Sequence, residues 1–458
     1  MAADLVDDLI ATMGANMAPR AGRTAPSQAW GVFTRDGLAH AEGTGEAASA
    51  PADTAFRIAS CTKSFTATMA LLLVEDGELE LHEPLADALG IPLRWDGEGI
   101  PTIEDALAMR TGLPTDDPWA DRQESLSDDA FAGLLADGVR AVRPAGTRYE
   151  YSNLGYAIVG RVIAERAGRP FIEVVRDRIL RPLGLDATAF TARVPAVGGV
   201  IPGYRPGPGG WEIQAFSGPG AFSPIGGLFS TIRDLSAWCT ALDGAHRALP
   251  HAVVDAMHTA RTPFAGDPRG ANAAYGFGLI LREDGAGHRF LAHSGGYPGF
   301  TSHMVWEQGS GVGAVAFENA SYTEVADPVR LALDATFGSH PISPPPPERD
   351  VVPWPETAEA ARRVAANIAD GRWDPSGFDP CVELDEPLER RQRRLADALE
   401  RIGGIDAVIP TPPGTAAEAG FDVRGPLGRF GVSFAMTPTA RTRIQRIDIS
   451  HEDGDGSS

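Results

Sequence analysis

Short apolar runs alternate with turn residues between residues 28 and 60, in "QAWGVFTRDGLAHAEGTGEA" and then "AFRIAS". Asp36-Gly37 between the first two runs is a hairpin signal, so the segment predicts two or three antiparallel strands. Helical patterning then dominates to about residue 245. "SFTATMALLLVEDG" predicts an apolar helix stopped at Gly77. "TIEDALAMRTG" opens on a capping box of Thr102 with Asp105 and stops at Gly112. "NLGYAIVGRVIAERAG" carries Leu154, Ile158 and Ile163 near one face and ends at Gly168, and "TIRDLSAWCTAL" repeats the capping box with Thr231 and Asp234. Strand character returns at 275–318, where "YGFGLILRE" and "HRFLAHSG" flank a glycine-rich turn and "TSHMVWE" and "GVGAVAFEN" follow as a second pair. The opening "MAADLVDDLIATMGANMAPR" predicts a short amphipathic helix through Leu5, Leu9 and Ile10.

Strands from both ends of the first 340 residues therefore bracket a helical middle. This predicts an α+β chain with one antiparallel sheet flanked by helices, beside an all-helical lobe. "SHPISPPPPERDVVPWP", 339–355, reads as a proline-rich linker. Beyond it, helices at 356–371 and 387–403 and strands at 404–410, 420–424, 428–436 and 442–449 predict a small α+β domain ending in a solvated tail. The expected division is a catalytic domain over 1–338, the linker over 339–355 and an accessory domain over 356–458.

Composition narrows the function. The chain has 458 residues, 43% hydrophobic and 22% charged, which suits a globular protein with a large core. A net charge of −21 argues against nucleic acid, whose phosphates need a basic face, and disfavours strongly anionic substrates. No run of 18 apolar residues and no basic start before an apolar core are visible, so neither a membrane partner nor export is expected and the cytoplasm is the expected compartment. Cys61, Cys239 and Cys381 are odd in number and far apart, and His251, His258, His288 and His303 are isolated, reading as surface or edge residues. Neither a disulfide framework, nor a metal site, nor a cofactor is expected.

One lysine stands out. Among 40 basic residues, Lys63 is the only lysine, and it lies three residues after Ser60 in "SCTK". At a helix start this spacing puts both side chains on one face. A serine hydroxyl needs a base to become a nucleophile. A buried amine can be that base, whereas a guanidinium does not give up its proton. A chain that uses arginine everywhere else keeps an amine where a neutral form is needed. Two further stretches place polar groups at element ends: "RYEYSNLGYAIVG", with Tyr151, Ser152 and Asn153 at a helix mouth, and "FLAHSGGYPGF", with His293, Ser294, Gly295 and Gly296 at a strand end.

The ordered set "SCTK", "YSN", "HSG", spaced by about 90 and 140 residues, resembles the penicillin-recognising serine hydrolases: class C β-lactamases, DD-peptidases and related esterases and D-aminopeptidases. The resemblance spans about residues 20–340 and includes "GGLFSTIRDLSAW". It implies a β-lactamase/transpeptidase-like fold and an acyl-enzyme mechanism without a cofactor. Ser60 would be acylated, with Lys63 as its base or proton relay. Tyr151 would share proton transfer, as a phenolate or by cycling with Lys63. Asn153 would orient the substrate carbonyl side and Lys63. The backbone N–H groups of Ser60 and Gly296 would form the oxyanion hole, Gly295 would let backbone approach the substrate, and His293 would line the site opposite Tyr151. Trp119, Tyr297 and Phe300 are candidate pocket walls, with loop packing as the simpler reading, and Tyr149 reads as packing under its loop. Arg122, Asp116 and Asp117 are expected to be solvated or ion-paired.

The third motif departs from the lysine-bearing form that grips a carboxylate. His293, partly charged near neutrality, points to esters or amides lacking a fixed negative charge. The alternatives are a β-lactamase, a D-stereospecific peptidase or DD-carboxypeptidase, and a non-catalytic scaffold. No G-x-S-x-G elbow, H-E-x-x-H or phosphate-binding loop is present. The expected partner is a small ester or amide. The accessory domain is expected to cover the active-site mouth or to form a homodimer contact.

Overall fold

The protein is described by a computed structural model covering residues 2–194, 199–244, 249–264, 272–338 and 351–451. The first helix, α1 (Ala2–Met17), buries Leu9, Met13 and Met17 at four-residue spacing. Two strands follow, β1 (Gln28–Thr34) and β2 (Gly37–Thr44), paired through the tight turn before Gly37, whose φ is +117°. After the helix-rich segment come β3 (Thr262–Phe264), β4 (Asn272–Tyr275), β5 (Ile280–Glu283), β6 (Arg289–Tyr297), β7 (Phe300–Glu307) and β8 (Gly313–Glu318). They form one eight-stranded sheet in the order β2-β1-β8-β7-β6-β5-β4-β3, antiparallel throughout. The pairing of β1 with β8 closes both ends of the segment into one sheet, as the patterning predicts. The single strand read over "YGFGLILRE" is in fact two, β4 and β5, because the glycines at 276 and 278 turn the chain between them.

Both faces of this sheet are covered, which is why β8 is buried along its whole length and β1 up to Phe33. Trp30, Val32, Ala314 and Ala316 face α1 and the helix α5 (Ala326–Phe337, numbered after those below). Ala29, Phe33, Val315 and Phe317 face the other layer. That layer contains α2 (Thr62–Glu75), α3 (Asn153–Ala167) and α4 (Ile232–Leu242). Helix α3 ends in a left-handed Gly168, and the capping box of Thr102 with Asp105 is complete. At α4 only half of the predicted box forms: Thr231 accepts from the Asp234 amide, while the Asp234 carboxylate turns to Ala187 N and Thr188 Oγ1. The middle is not all helical, since 203–207 and 210–214 pair as an additional hairpin. Its strands are short and glycine- and proline-rich, which hid their period in the sequence.

Most of the proline-rich stretch lies outside the described residues. From Pro355 the chain forms α6 (Pro355–Ala369) and α7 (Leu388–Arg401), a short helix at Pro380–Asp385 between them, and a four-stranded antiparallel sheet β9 (Ala407–Thr411), β10 (Glu418–Gly425), β11 (Gly428–Met436) and β12 (Ile444–His451). This C-terminal unit rests on the segment 113–126 and on the hairpin at 203–214. Arg122 Nη2 donates to Leu384 O at 2.8 Å, Arg390 Nη1 donates to Pro206 O at 2.6 Å, and Arg140 N donates to Pro438 O at 2.8 Å. Among the described residues, no helix is long and apolar enough to cross a membrane.

Candidate active site

Ser60 sits in a single 3₁₀ turn, Ala59–Cys61, that runs directly into α2. The first amides of such a turn have no acceptor within the helix and point toward whatever stands at its mouth. Ala59, just before the serine, has φ +46°, a left-handed conformation that a side chain rarely adopts. The surroundings hold it there. Ser302 Oγ donates to Ile58 O at 2.7 Å, and the Cys61 thiol donates to His293 O at 3.3 Å. Gly295 of β6 lies against this turn so closely that an added Cβ would be 2.9 Å from the Ala59 Cβ and closer still to Ile58 O and Ser302 Oγ. Gly295 therefore lets strand and turn touch, while Gly296 beside it has open space where a side chain would be.

Lys63 is fully buried, and its Nζ lies 2.9 Å from Ser60 Oγ and 2.9 Å from Ile225 O. That carbonyl belongs to the short helix Ser223–Gly226, which is fixed to α2 by Thr66 Oγ1 donating to Pro224 O at 2.7 Å and by Leu228 N donating to Thr62 Oγ1 at 3.2 Å. Burial pulls the Lys63 ammonium down to about 8, against the pull of Asp117, Asp121 and Asp116 in the other direction. When Lys63 is neutral, its N–H groups serve Ile225 O and its lone pair faces the serine hydroxyl. The Tyr151 ring lies 5.0 Å from Lys63 Nζ, and its phenol feels the neighbouring Ser60 side chain. Burial, reinforced by Asp117, pushes that phenol well above its ordinary range, so it is a neutral phenol rather than a phenolate.

Asn153 begins α3, and Ser152 caps it. The Asn153 amide NH₂ donates to Asp116 Oδ1 at 3.1 Å and to Asp117 Oδ1, and its Oδ1 has no hydrogen-bond partner among the described residues. Asp116 is fully buried and accepts from Asn153 N and Leu154 N, both at 2.8 Å. Burial and the neighbouring Asp117 raise its carboxyl to about 7. The expectation that Asp116 and Asp117 are solvated is therefore corrected for Asp116: it ties the 113–126 segment to the mouth of α3. Asp117 and Asp121 are also raised by burial, and both lie within electrostatic reach of Lys63.

His293 lies across from Tyr151, with ring centroids 6.4 Å apart. Its Nδ1 is 2.6 Å from Ser294 O, a pure acceptor, so that nitrogen carries the proton and Nε2 accepts from Tyr275 Oη at 2.9 Å. Burial, with Lys63 nearby, pushes the imidazole down to about 3. The partial charge expected of His293 near neutrality is thus corrected to none. His303, expected at the surface, is instead buried, with Nδ1 2.9 Å from Ser294 Oγ.

These features are an amine and a hydroxyl at a helix mouth, a tyrosine ring beside the amine, and a strand edge with two glycines. The model of the family described as Beta-lactamase matches residues 6–337. The chain belongs to the Beta-lactamase family. Among its relatives, the unguisins hydrolase ungD' of Aspergillus campestris is 30% identical over 301 residues, 59% of this chain and 53% of that protein. The D-aminopeptidase of Gluconobacter oxydans is 27% identical over 303 residues, 61% of this chain and 52% of that protein. The chain thus spans about half the length of these curated relatives. The octameric penicillin-binding protein homologue from Pyrococcus abyssi shares the fold, with a TM-score of 0.63 at 21% identity, covering 97% of this chain and all of that one.

Within this Beta-lactamase-family site, the three aromatic wall candidates all pack inward. Trp119 is buried edge-on against Phe222, with centroids 5.7 Å apart, and Phe300 is buried against Phe216. Tyr297 lies under the Arg57 guanidinium at 3.7 Å, and its hydroxyl donates to Asp121 O and Glu124 Oε2. Tyr149 stacks on Phe264, with centroids 4.4 Å apart. Arg57, Glu124 and Asp121, and the burial of Asp116, escaped the sequence reading because an acidic loop looks the same whether exposed or covered. The only local hint is Pro114 and Pro118, which stiffen the backbone around Asp116 and Asp117. Among the described residues, no group of three or more metal-ligating side chains is placed to hold a metal ion.

Proposed function

We propose that this protein is a serine hydrolase working through an acyl-enzyme on small esters or amides whose acyl part carries an amino group rather than a carboxylate. The observation that carries the hydrolase reading is the wholly buried Lys63 Nζ, 2.9 Å from Ser60 Oγ. Neutral Lys63 takes the hydroxyl proton as Oγ bonds to the substrate carbonyl carbon. The carbonyl oxygen becomes an oxyanion facing the Ser60 and Gly296 amides, where each donor is worth about 3 kcal/mol in the transition state. As the tetrahedral intermediate collapses, the bond to the leaving group breaks and Tyr151 hands over its proton, which Lys63 replaces. Water then repeats the sequence on the acyl-enzyme, with Lys63 again as base, and releases the acid.

The amino-group preference rests on the charges around the site. His293 stands where a carboxylate-gripping lysine would be and is neutral. Asp117 lies beside Lys63 and Asn153, and its Asn153 partner presents an acceptor with no hydrogen-bond partner among the described residues. Acceptors and negative charge suit an N–H-rich substrate and repel a carboxylate. The D-aminopeptidase among the relatives fits this reading. A β-lactamase, whose substrates carry a carboxylate, fits it poorly.

A four-substrate panel tests it: a D-aminoacyl p-nitroanilide, its N-acetyl derivative, p-nitrophenyl acetate and a chromogenic cephalosporin. The free amine is expected to exceed its N-acetyl form by at least about tenfold in kcat/KM, the equivalent of one favourable charge contact. The cephalosporin is expected to be slowest. A cephalosporin turned over faster than the ester overturns the preference. No turnover that Ser60→Ala abolishes overturns the hydrolase reading.

A further inference from the structure

A buried side chain of the C-terminal sheet reaches the loop that carries Asp116 and Asp117. In β11–β12 the register pairs Ala435 with Arg446 and Met436 with Ile444, so Gln445 is the extra residue of a bulge. A bulge breaks strict alternation and re-aims the side chain it carries. Gln445 is fully buried, which for an amide requires its polar atoms to be matched. Its Nε2 donates to Met436 O in its own sheet and to Thr115 O in the catalytic unit, each at 2.9 Å. Its Oε1 accepts from Trp119 N at 3.4 Å. The backbone carbonyl of Gln445 is held in turn by the Cys381 thiol at 3.4 Å.

Thr115 and Trp119 bracket the two carboxylates that meet α3. Asp116 accepts from the first amides of that helix, and Asp117 takes the Asn153 side chain. The next residue on the bulge, Arg446, is one of the charges felt by Asp117. We propose that Gln445 is a positioning residue: it fixes the Thr115–Trp119 segment so that Asp117 and Asn153 stand at the substrate's amino end, and the C-terminal unit is thereby a working part of the active site. This rests on the hydrolase reading above. Ser60, Lys63 and Ile225 O are held in place by bonds that do not involve Gln445, while Asp117 acts on Lys63 through its charge.

The test is a double-mutant cycle in the full-length protein with Gln445→Met and Asp117→Asn. Methionine keeps length and bulk and removes the three hydrogen bonds. Active sites are counted with a small fluorophosphonate, and kcat and KM per labelled site are measured for the D-aminoacyl p-nitroanilide and its N-acetyl form. Gln445→Met is expected to raise KM for the free amine by about tenfold or more, to change KM for the N-acetyl substrate by less than about threefold, and to leave the labelled fraction unchanged. In the Asp117→Asn background the same change is expected to have little further effect. If methionine does not fold, Gln445→Glu enters the same cycle, since it keeps the acceptor for Trp119 and loses both donors. Additive effects, or a fall in the labelled fraction with unchanged KM per site, overturn the proposal and leave Gln445 a packing residue. A parent protein that does not label at Ser60 refutes the hydrolase reading itself.

Discussion

Gly278 lies in the turn between β4 and β5, where it faces the first turn of α2. A Cβ added there would be 2.6 Å from Lys63 O, 2.8 Å from Ser64 Cα and 3.0 Å from Ala67 Cβ. Ordinary contact begins at 3.4 Å, so Gly278→Ala must find about 0.8 Å by moving either the turn or the Lys63 backbone. The residue also has φ +72°, where a side chain costs about 1–2 kcal/mol. Overpacking adds about 1–3 kcal/mol. Helix α2 is pinned at its far side by Thr66 and Thr62 to the segment carrying Ile225, so a push on Lys63 changes the angle at which Nζ meets Ser60 Oγ. A misplacement of about 1 Å at reacting groups costs on the order of 10²-fold in rate. The expected result for Gly278→Ala is a melting temperature lowered by a few degrees and a kcat for p-nitrophenyl acetate lowered by about 10- to 100-fold, with KM nearly unchanged. The assay is steady-state kinetics per titrated active site, alongside thermal unfolding. A variant with reduced stability and an unchanged kcat would mean that the turn yields rather than the helix, and would refute the claim that Gly278 sets the position of Lys63.

Lys63→Arg keeps the charge of the ammonium and removes the group that can be neutral, so kcat should fall by about 10²–10⁴-fold with the fold retained, read from kinetics and circular dichroism. Tyr151→Phe should slow anilide hydrolysis far more than p-nitrophenyl ester hydrolysis, because p-nitrophenolate leaves without a proton; equal losses on both substrates would remove the phenol from the proton path. The Arg57–Glu124 ion pair is buried, with side chains 1% and 2% exposed, so Glu124→Ala should cost about 3–5 kcal/mol in urea unfolding by stranding the guanidinium.

How much of this was legible in the sequence depended on the range of the interactions. The Ser60–Lys63 spacing, the Thr102 cap and the left-handed Gly168 are local, and a local pattern specifies them. The sheet closure followed from strand-like apolar runs on both sides of a helical middle, although β1 and β8, covered on both faces, show no polar face of their own. Burial of Asp116 did not follow, because it is created by α3 on one side and by Gln445, 329 residues away in the chain, on the other. The charge state of His293 was misjudged for the same reason: its low proton affinity comes from the packing that buries it and from Lys63 nearby. The hairpin at 203–214 was missed because glycine and proline obscured its alternation.

The central claim is that a neutral amine at Lys63 activates Ser60, and the most direct measurement is the rate of covalent labelling by a fluorophosphonate as a function of pH, with the adduct located by peptide mass spectrometry. The account predicts one adduct per chain, on Ser60, forming faster as pH rises through about 8, where the buried ammonium loses its proton, and forming on neither Ser60→Ala nor, at a comparable rate, Lys63→Arg. An adduct elsewhere, or a labelling rate that ignores both pH and the lysine, would contradict it.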